Sequence, residues 1–322
     1  MVTLRRCHCS NLLPRAGLIN REAVSERFQA RHPEYDARSV LPVREHVARK
    51  DNATWGIYER ASRYQLTIAY DGSGFAGFQK QTQKRTVQGE LEDRFGKVFG
   101  EFSLTYAGRT DTGVHAVGQV LTLEIAQEMS EAQLSRALQG QLPSDIQLMS
   151  AKQLLKRRHA RFDAKRRQYR YVFTNGDLPV YLRPYVARVH FAPDITVFPP
   201  IRTLLEGTHD FSNFKNTGSD ETRMQRTLYR LEMGKRWHRC LYADKRYAVY
   251  YIDIEADGFL RRMVRHIVGA IFSVMQGRLT LEQLRSILTE PGILNKPYTP
   301  APAQGLCLVH VVYDEVNEGD PV

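Results

Sequence analysis

Asp111 is the carboxylate of this chain whose setting most favours chemistry. It lies in the run Ala107-Gly108-Arg109-Thr110-Asp111-Thr112-Gly113-Val114-His115-Ala116-Val117-Gly118-Gln119-Val120, bracketed by glycines with Arg109 two positions away. A carboxylate kept ionised by a neighbouring guanidinium can act as a nucleophile, because the opposite charge counters the cost of burial. The same residues also suit a plain turn in which the Asp hydrogen-bonds its own backbone. Asp111-Thr112-Gly113 matches the triplet of aspartic proteases too, but those enzymes set two carboxylates against each other. No second Asp-Thr-Gly or Asp-Ser-Gly occurs, so a protease would need two copies of the chain.

Two strand-like runs frame the loop. Phe102, Leu104 and Tyr106 alternate on the way in, and Val117 to Leu123 reads as a strand on the way out. Asp111 is thereby presented at a strand end, with Gly108 and Gly113 permitting a tight backbone. Upstream, Tyr64 to Tyr70 alternates as a strand and enters the turn Asp71-Gly72-Ser73-Gly74. Thr86 caps a helix whose apolar face is Val87, Leu91, Phe95 and Val98/Phe99. Ser130-x-x-Gln133 is a capping box opening a helix with Leu134 and Leu138 on one side, and a strand follows at Ile146 to Met149. Strand, helix, strand, strand, helix, strand is the α+β pattern of a ferredoxin-like unit.

The second half repeats this loosely. Tyr169 to Phe173 is a strand, a helix precedes Gly207, and Tyr247 to Ile254 is a strand leading through Asp257-Gly258 into a helix with Met263, Ile267, Ile271 and Val274 inward. Thr280-x-x-Gln283 caps a helix carrying Leu284, Ile287 and Leu288, and Leu306 to Tyr313 supplies a closing strand. Each half has an Asp-Gly turn with a nearby Phe (Asp71/Phe75 and Asp257/Phe259), which fits two similar halves with a cleft between them. The expected organisation is a basic irregular extension (1–62), an α+β domain carrying the Asp111 loop (63–165), a second α+β domain completing the cleft (166–316) and a tail (317–322).

Composition narrows the partner. The 322 residues carry a net charge of +11, concentrated in places: Lys152 to Arg170 holds nine Lys/Arg against Asp163 alone, and a second basic stretch runs from Arg223 to Arg246. Such clusters, interleaved with Tyr and Trp, suit phosphate contact and base stacking, and each also suits an ordinary solvated face. The four cysteines (7, 9, 240, 307) make no disulfide framework and fit a reducing compartment. Cys7-His8-Cys9 has no partner ligands nearby, so no metal site is expected. The apolar run from Ile267 to Met275 is too short to cross a bilayer, and a soluble cytoplasmic protein is expected. The first twenty residues have three Arg and no acid, as in a targeting segment, but acids follow.

The string around Asp111 resembles the active-site motif of the tRNA pseudouridine synthase A family, in which Gly-Arg-Thr-Asp-x-Gly-Val-His-Ala precedes a Gly-Gln-Val strand. Tyr70-Asp71-Gly72-Ser73-x-Phe75-x-Gly77-Phe78-Gln79 resembles the family's N-terminal box, with Phe78 where Trp is usual, and Val87-Gln88 resembles its helix start. His159-Ala160-Arg161-Phe162-x-Ala164-x-x-Arg167-x-Tyr169-x-Tyr171 resembles the central motif. Asp257-Gly258-Phe259-Leu260-x-x-Met263-Val264-Arg265-x-Ile267-Val268-Gly269 resembles the C-terminal one, and Gly305-Leu306-x-Leu308 the ending. The resemblance covers residues 64–314.

It implies the pseudouridine synthase fold: two ferredoxin-like, RRM-like halves forming a mixed, mainly antiparallel sheet with a central catalytic cleft. It implies isomerisation of uridine to pseudouridine in tRNA, at uridines 38, 39 and 40 of the anticodon arm, by a homodimer. Asp111 matches the nucleophile, or the base that opens the sugar; Arg265 matches the cation paired with it and Tyr169 the aromatic next to the target base. Arg109 matches the loop Arg around the flipped nucleotide, and Arg157, Arg158 and Arg167 fall to tRNA contact. The reaction implies no cofactor and no metal. Without the resemblance, Tyr169 reads as core beside Tyr171 and Phe173, and Arg261 and Arg265 as a solvated helical face. His115 and His266 read as structural. Two other readings stay open: an RNA-binding protein without catalysis, and a synthase of this family acting on other tRNA positions or other RNAs.

Overall fold

The computed structural model describes residues 61–216, 222–290, 292 and 296–314. Residues 1–60 of the extension, with Cys7, His8 and Cys9, and the tail fall outside the described residues, while Ser62 at the end of the extension already opens the first strand. Ten strands form one sheet: β1 (Ser62–Tyr70), β2 (Phe102–Tyr106), β3 (His115–Ile125), β4 (Ile146–Gln153), β5 (Ala164–Thr174), β6 (Ala187–Arg188), β7 (Gly207–Asp210), β8 (Gln225–Arg239), β9 (Arg246–Ala256) and β10 (Leu306–Tyr313). The helices are α1 (Val87–Phe99), α2 (Glu131–Gln139), α3 (Phe198–Leu205), α4 (Met263–Met275) and α5 (Leu281–Thr289).

The strand order is β4-β1-β3-β10-β5-β9-β8-β7, with β2 on β3 and β6 on β5. Pairing is antiparallel except for β10 with β3 and β6 with β5, so the sheet is mixed and mainly antiparallel, as expected. The closing strand does more than finish the chain. It inserts between the halves, and Leu308 pairs with Ala116 of β3 on one side and Tyr169 of β5 on the other. The strand that leaves the Asp111 loop and the strand that carries Tyr169 are thus separated by a single strand.

Local chemistry explains the helices. Thr86 Oγ1 accepts from Gly89 N at 3.2 Å and starts α1, whose Val87, Leu91, Phe95 and Phe99 are buried while Val98 is half-buried. Both capping boxes form, Ser130 with Gln133 on α2 and Thr280 with Gln283 on α5, each worth about 1 kcal/mol. Helix α4 departs from the one-faced expectation. Val264, Val268, Ala270 and Phe272 are buried along with Met263, Ile267 and Ile271, because this helix is covered on more than one side. One cover is the 299–301 segment, which approaches so closely that a Cβ at Gly269 would collide with the Thr299 carbonyl. Helix α4 also begins at Met263, so Arg261 precedes it and does not share a helical face with Arg265.

Candidate active site

The Asp111 loop is held by its backbone from several sides. Phe78 N donates to Thr110 O (3.0 Å), Val114 N to Asp111 O (3.1 Å) and Gln119 Nε2 to Gly108 O (2.7 Å). Tyr70 and Thr110 share a buried hydroxyl hydrogen bond of 2.8 Å. The Asp71-Gly72 and Gly77-Phe78 box packs directly onto this loop. A Cβ at Gly72 would collide with the Val114 carbonyl, and Gly77 has φ +92° with room for no Cβ beside Thr110 O. A loop so anchored keeps its carboxylate in place without using the carboxylate to do so.

Around Asp111 the motifs from both halves converge. Arg265 on α4 holds its Nε on Ala301 O at 2.7 Å, and Ala301 N returns a bond to Arg265 O at 2.9 Å. That reciprocal clamp leaves Nη1 at 3.5 Å from Asp111 Oδ2, with the Arg265 side chain 15% exposed. Tyr169 is buried, its hydroxyl beside Gly108 and its ring edge-to-face with Phe259 at 5.2 Å between centroids. Burial, with a smaller contribution from the Asp111 charge, raises its hydroxyl pKa against the opposing pull of Arg167, so the hydroxyl is neutral. Arg109 is exposed at the mouth of the loop, its Nε 3.4 Å from Tyr106 Oη. Arg262, which sequence reasoning passed over in favour of Arg261, places Nε 3.9 Å from Asp111 Oδ2.

The other basic residues assigned to tRNA contact lie in different settings. Arg167, on the same strand face as Tyr169, spends all five N–H groups on backbone carbonyls: Ala107 O (3.3 and 3.1 Å), Ala164 O (3.1 Å), Asp257 O (2.8 Å) and Arg161 O (2.6 Å). It ties the strand entering the Asp111 loop to the Asp257-Gly258 turn. Burial lowers its pKa, and the carbonyls supply the stabilisation that keeps it charged. Arg158 reaches Gln65 Oε1 at 2.8 Å and Asp314 O at 3.4 Å, and lies over the Tyr313 ring. Arg157 is exposed, its Nε 4.0 Å from Glu124. Basic character continues on the β8–β9 hairpin, where Lys235, Arg236 and Lys245 lie over the rings of Trp237 and Tyr250, Tyr251, and Tyr247.

Both histidines serve the scaffold. His115 Nδ1 accepts from Gly72 N at 3.0 Å, so its proton is on Nε2, 3.0 Å from Pro184 O. His266 is buried, with Nε2 3.0 Å from Asn216 Oδ1, and Nδ1 has no hydrogen-bond partner among the described residues. Burial above all, then the charges of Lys296, Arg265 and Arg262, pushes its pKa from 6.5 down to about 4. The unfolded chain therefore binds this proton first as pH falls. His266 costs no stability above pH 6.5, and stability is lost as pH drops from there towards 4. Replacing His266 with Gln should flatten the fall of melting temperature across that window; an unchanged slope would mean that the imidazole charges freely inside the fold.

Comparison with known proteins completes the description. The pattern of a family described as tRNA pseudouridine synthase matches residues 66–163 and 201–314. The tRNA pseudouridine synthase A of Anoxybacillus flavithermus is 36% identical over 254 residues, which is 78% of this chain and 99% of that protein. The tRNA pseudouridine synthase A of Thermosipho africanus is 38% identical over 253 residues, again 78% of this chain and 99% of that protein. Among solved structures, the archaeal box H/ACA sRNP Nop10-Cbf5 complex aligns with 65% of this chain and 43% of its own, at 11% identity and a TM-score of 0.25, a likeness too slight to argue from.

Proposed function

The chain belongs to the tRNA pseudouridine synthase family, isomerases that make pseudouridine in tRNA, and on that premise we propose that Asp111 is its nucleophile and that its target lies in the anticodon arm, at uridines 38, 39 and 40. One observation carries the reading of the site. The only carboxylate that meets both Arg265 and the Tyr169 pocket among the described residues is Asp111, in a loop clamped by backbone bonds.

The reaction moves no atom into or out of the nucleotide except protons. A stacked uridine is out of reach, so the base is flipped into the cleft, and exposed Arg109 stands where it can brace the vacancy. The Asp111 carboxylate adds to ribose C1′ as the N1–C1′ bond breaks. The freed uracil turns, C5 bonds to C1′ as the carboxylate leaves, the C5 proton is lost to solvent and N1 gains one. Arg265 keeps a positive charge 3.5 Å from the carboxylate that must remain an anion until it attacks. Tyr169, neutral and held edge-on by Phe259, packs on the uracil while it turns, and its hydroxyl oxygen takes up the C5 proton as its own proton is handed on towards solvent.

Binding is expected to be electrostatic at long range and shape-selective at close range. The hairpin supports this: Lys235, Arg236 and Lys245 are held on rings, where a cation stays available to phosphate, and Trp237 is 63% exposed. Arg157 and Arg158 extend the basic surface from the other half, and Arg167 supports the site from beneath as a positioning residue. The homodimer rests on the family resemblance. Carbodiimide-stop sequencing of unmodified tRNA after incubation with the protein tests the whole reading. Stops at 38, 39 or 40 are expected; stops only elsewhere, or in another RNA, would overturn the site preference.

A further inference from the structure

Asp111 faces two arginines, and the pairing described above uses one. Arg262 lies within one helical turn of Arg265, and its Nε is 3.9 Å from Asp111 Oδ2, close enough for attraction but not for a hydrogen bond. That Nε is buried and has no hydrogen-bond partner among the described residues. The far end of the side chain is open: Arg262 is 38% exposed where Arg265 is 15% exposed.

The backbone at Arg262 is as unusual as its side chain. Its φ of 63° and ψ of 8° are left-handed, and Gln83 is the other non-glycine residue with positive φ among the described residues. An L-residue held there is strained, and such strain persists where the surroundings impose it. They do so here. Leu260 and Met263 are buried anchors joined by a Met263 N to Leu260 O bond of 3.0 Å, and His266 N bonds Arg262 O at 3.0 Å. The turn throws the Arg262 side chain over the carboxylate.

A free carboxylate with one counter-ion has no need of a second arginine that cannot reach hydrogen-bonding distance. A bound polynucleotide brings what Arg262 lacks. Each ribose carries a phosphodiester on both sides, and a guanidinium fork matches a phosphate through two parallel hydrogen bonds. Resting on the tRNA isomerase reading, we infer that Arg262 grips a phosphodiester flanking the target uridine and so seats the ribose against Asp111, while Arg265 serves the carboxylate. Arg262 is then a substrate-binding residue, and its strained backbone is what aims it.

The test uses the full-length protein and unmodified tRNA. For Arg262→Gln, KM should rise about tenfold with the single-turnover rate at saturation nearly kept, and the slope of log K against log salt should shrink by about one unit. Arg262→Lys should recover part of the affinity. Arg262→Gly should melt at a higher temperature than the wild type, since glycine accepts the left-handed backbone freely, yet bind as weakly as Arg262→Gln. The decisive probe is a ligated tRNA with one uncharged methylphosphonate linkage, placed 5′ or 3′ of the target uridine. One of the two should weaken the wild type about tenfold and leave Arg262→Gln unaffected, the signature of a coupled pair. Equal weakening of both proteins, or an Arg262→Gln variant with unchanged KM and salt slope, would overturn the inference. A loss confined to the single-turnover rate would overturn it in favour of a second counter-ion for Asp111. Failure of the tRNA isomerase reading would show differently, as a wild-type protein forming no pseudouridine in tRNA.

Discussion

Asp111→Asn should abolish pseudouridine formation, with a loss on the order of 10⁴-fold or more in the single-turnover rate, because under the proposed mechanism the reaction loses its nucleophile. The fold should scarcely notice. The loop is fixed through Thr110 O, Asp111 O, Gly108 O and the Tyr70–Thr110 hydroxyl pair, none of which uses the Asp111 carboxylate. The side chain is 24% exposed and the amide has nearly the same volume, so stability should change by less than about 1 kcal/mol. Removing the negative charge from a site faced by Arg262 and Arg265 should leave tRNA affinity intact or slightly raise it. Turnover within tenfold of the wild type, in a variant that still binds tRNA, would remove Asp111 from the mechanism.

Arg265→Met is the second large effect. It withdraws the cation 3.5 Å from Asp111 and leaves the Ala301 carbonyl without its 2.7 Å donor. The catalytic loss should be about 10²- to 10³-fold in the single-turnover rate, the range seen when one preorganised electrostatic partner is removed. The orphaned carbonyl should add a stability cost of about 1–3 kcal/mol, read as a lower melting temperature. Arg265→Lys separates the two roles. It restores charge without the planar fork that bonds Ala301 and faces Asp111 together, so its rate should fall between those of the wild type and Arg265→Met. If Arg265→Met lost tRNA affinity alone and kept its rate at saturation, the arginine would belong to binding and not to chemistry.

How much of this was legible in the sequence depended on whether the signal was local. Period-two alternation located β1, and the side-chain caps Thr86, Ser130 and Thr280 located α1, α2 and α5 to the residue. Strand β8 gave no such signal. Its fifteen residues carry charged side chains on both faces, and it is the ladder with β9 that makes them a strand. Insertion of β10 between β3 and β5 was likewise invisible, since strand order is set by long-range pairing.

The site divides in the same way. The motifs pointed to Asp111, Tyr169 and Arg265, and the fold brings them together at the edge of the Asp111 loop. Arg167 was read as one cation in a basic cluster. Its five carbonyl bonds come from three separate chain segments, Ala107, Arg161 with Ala164, and Asp257, and no spacing announces such a convergence. Arg262 escaped because Arg261 and Arg265 read as one helical face that leaves it out, whereas its own left-handed backbone before Met263 turns it towards Asp111. Nothing in Leu-Arg-Arg-Met signals a positive φ, which is a decision of the buried neighbours on either side.

Loss of the C5 hydrogen is the event that distinguishes this isomerisation from mere binding or hydrolysis of the nucleotide. The direct measurement is tritium release from tRNA labelled at uridine C5, followed for the wild type and Asp111→Asn at equal occupancy of tRNA. The account predicts release by the wild type in step with pseudouridine formed, and none above background by Asp111→Asn. Release by Asp111→Asn at a rate near the wild type's, or tRNA fully bound by the wild type without release, would contradict it.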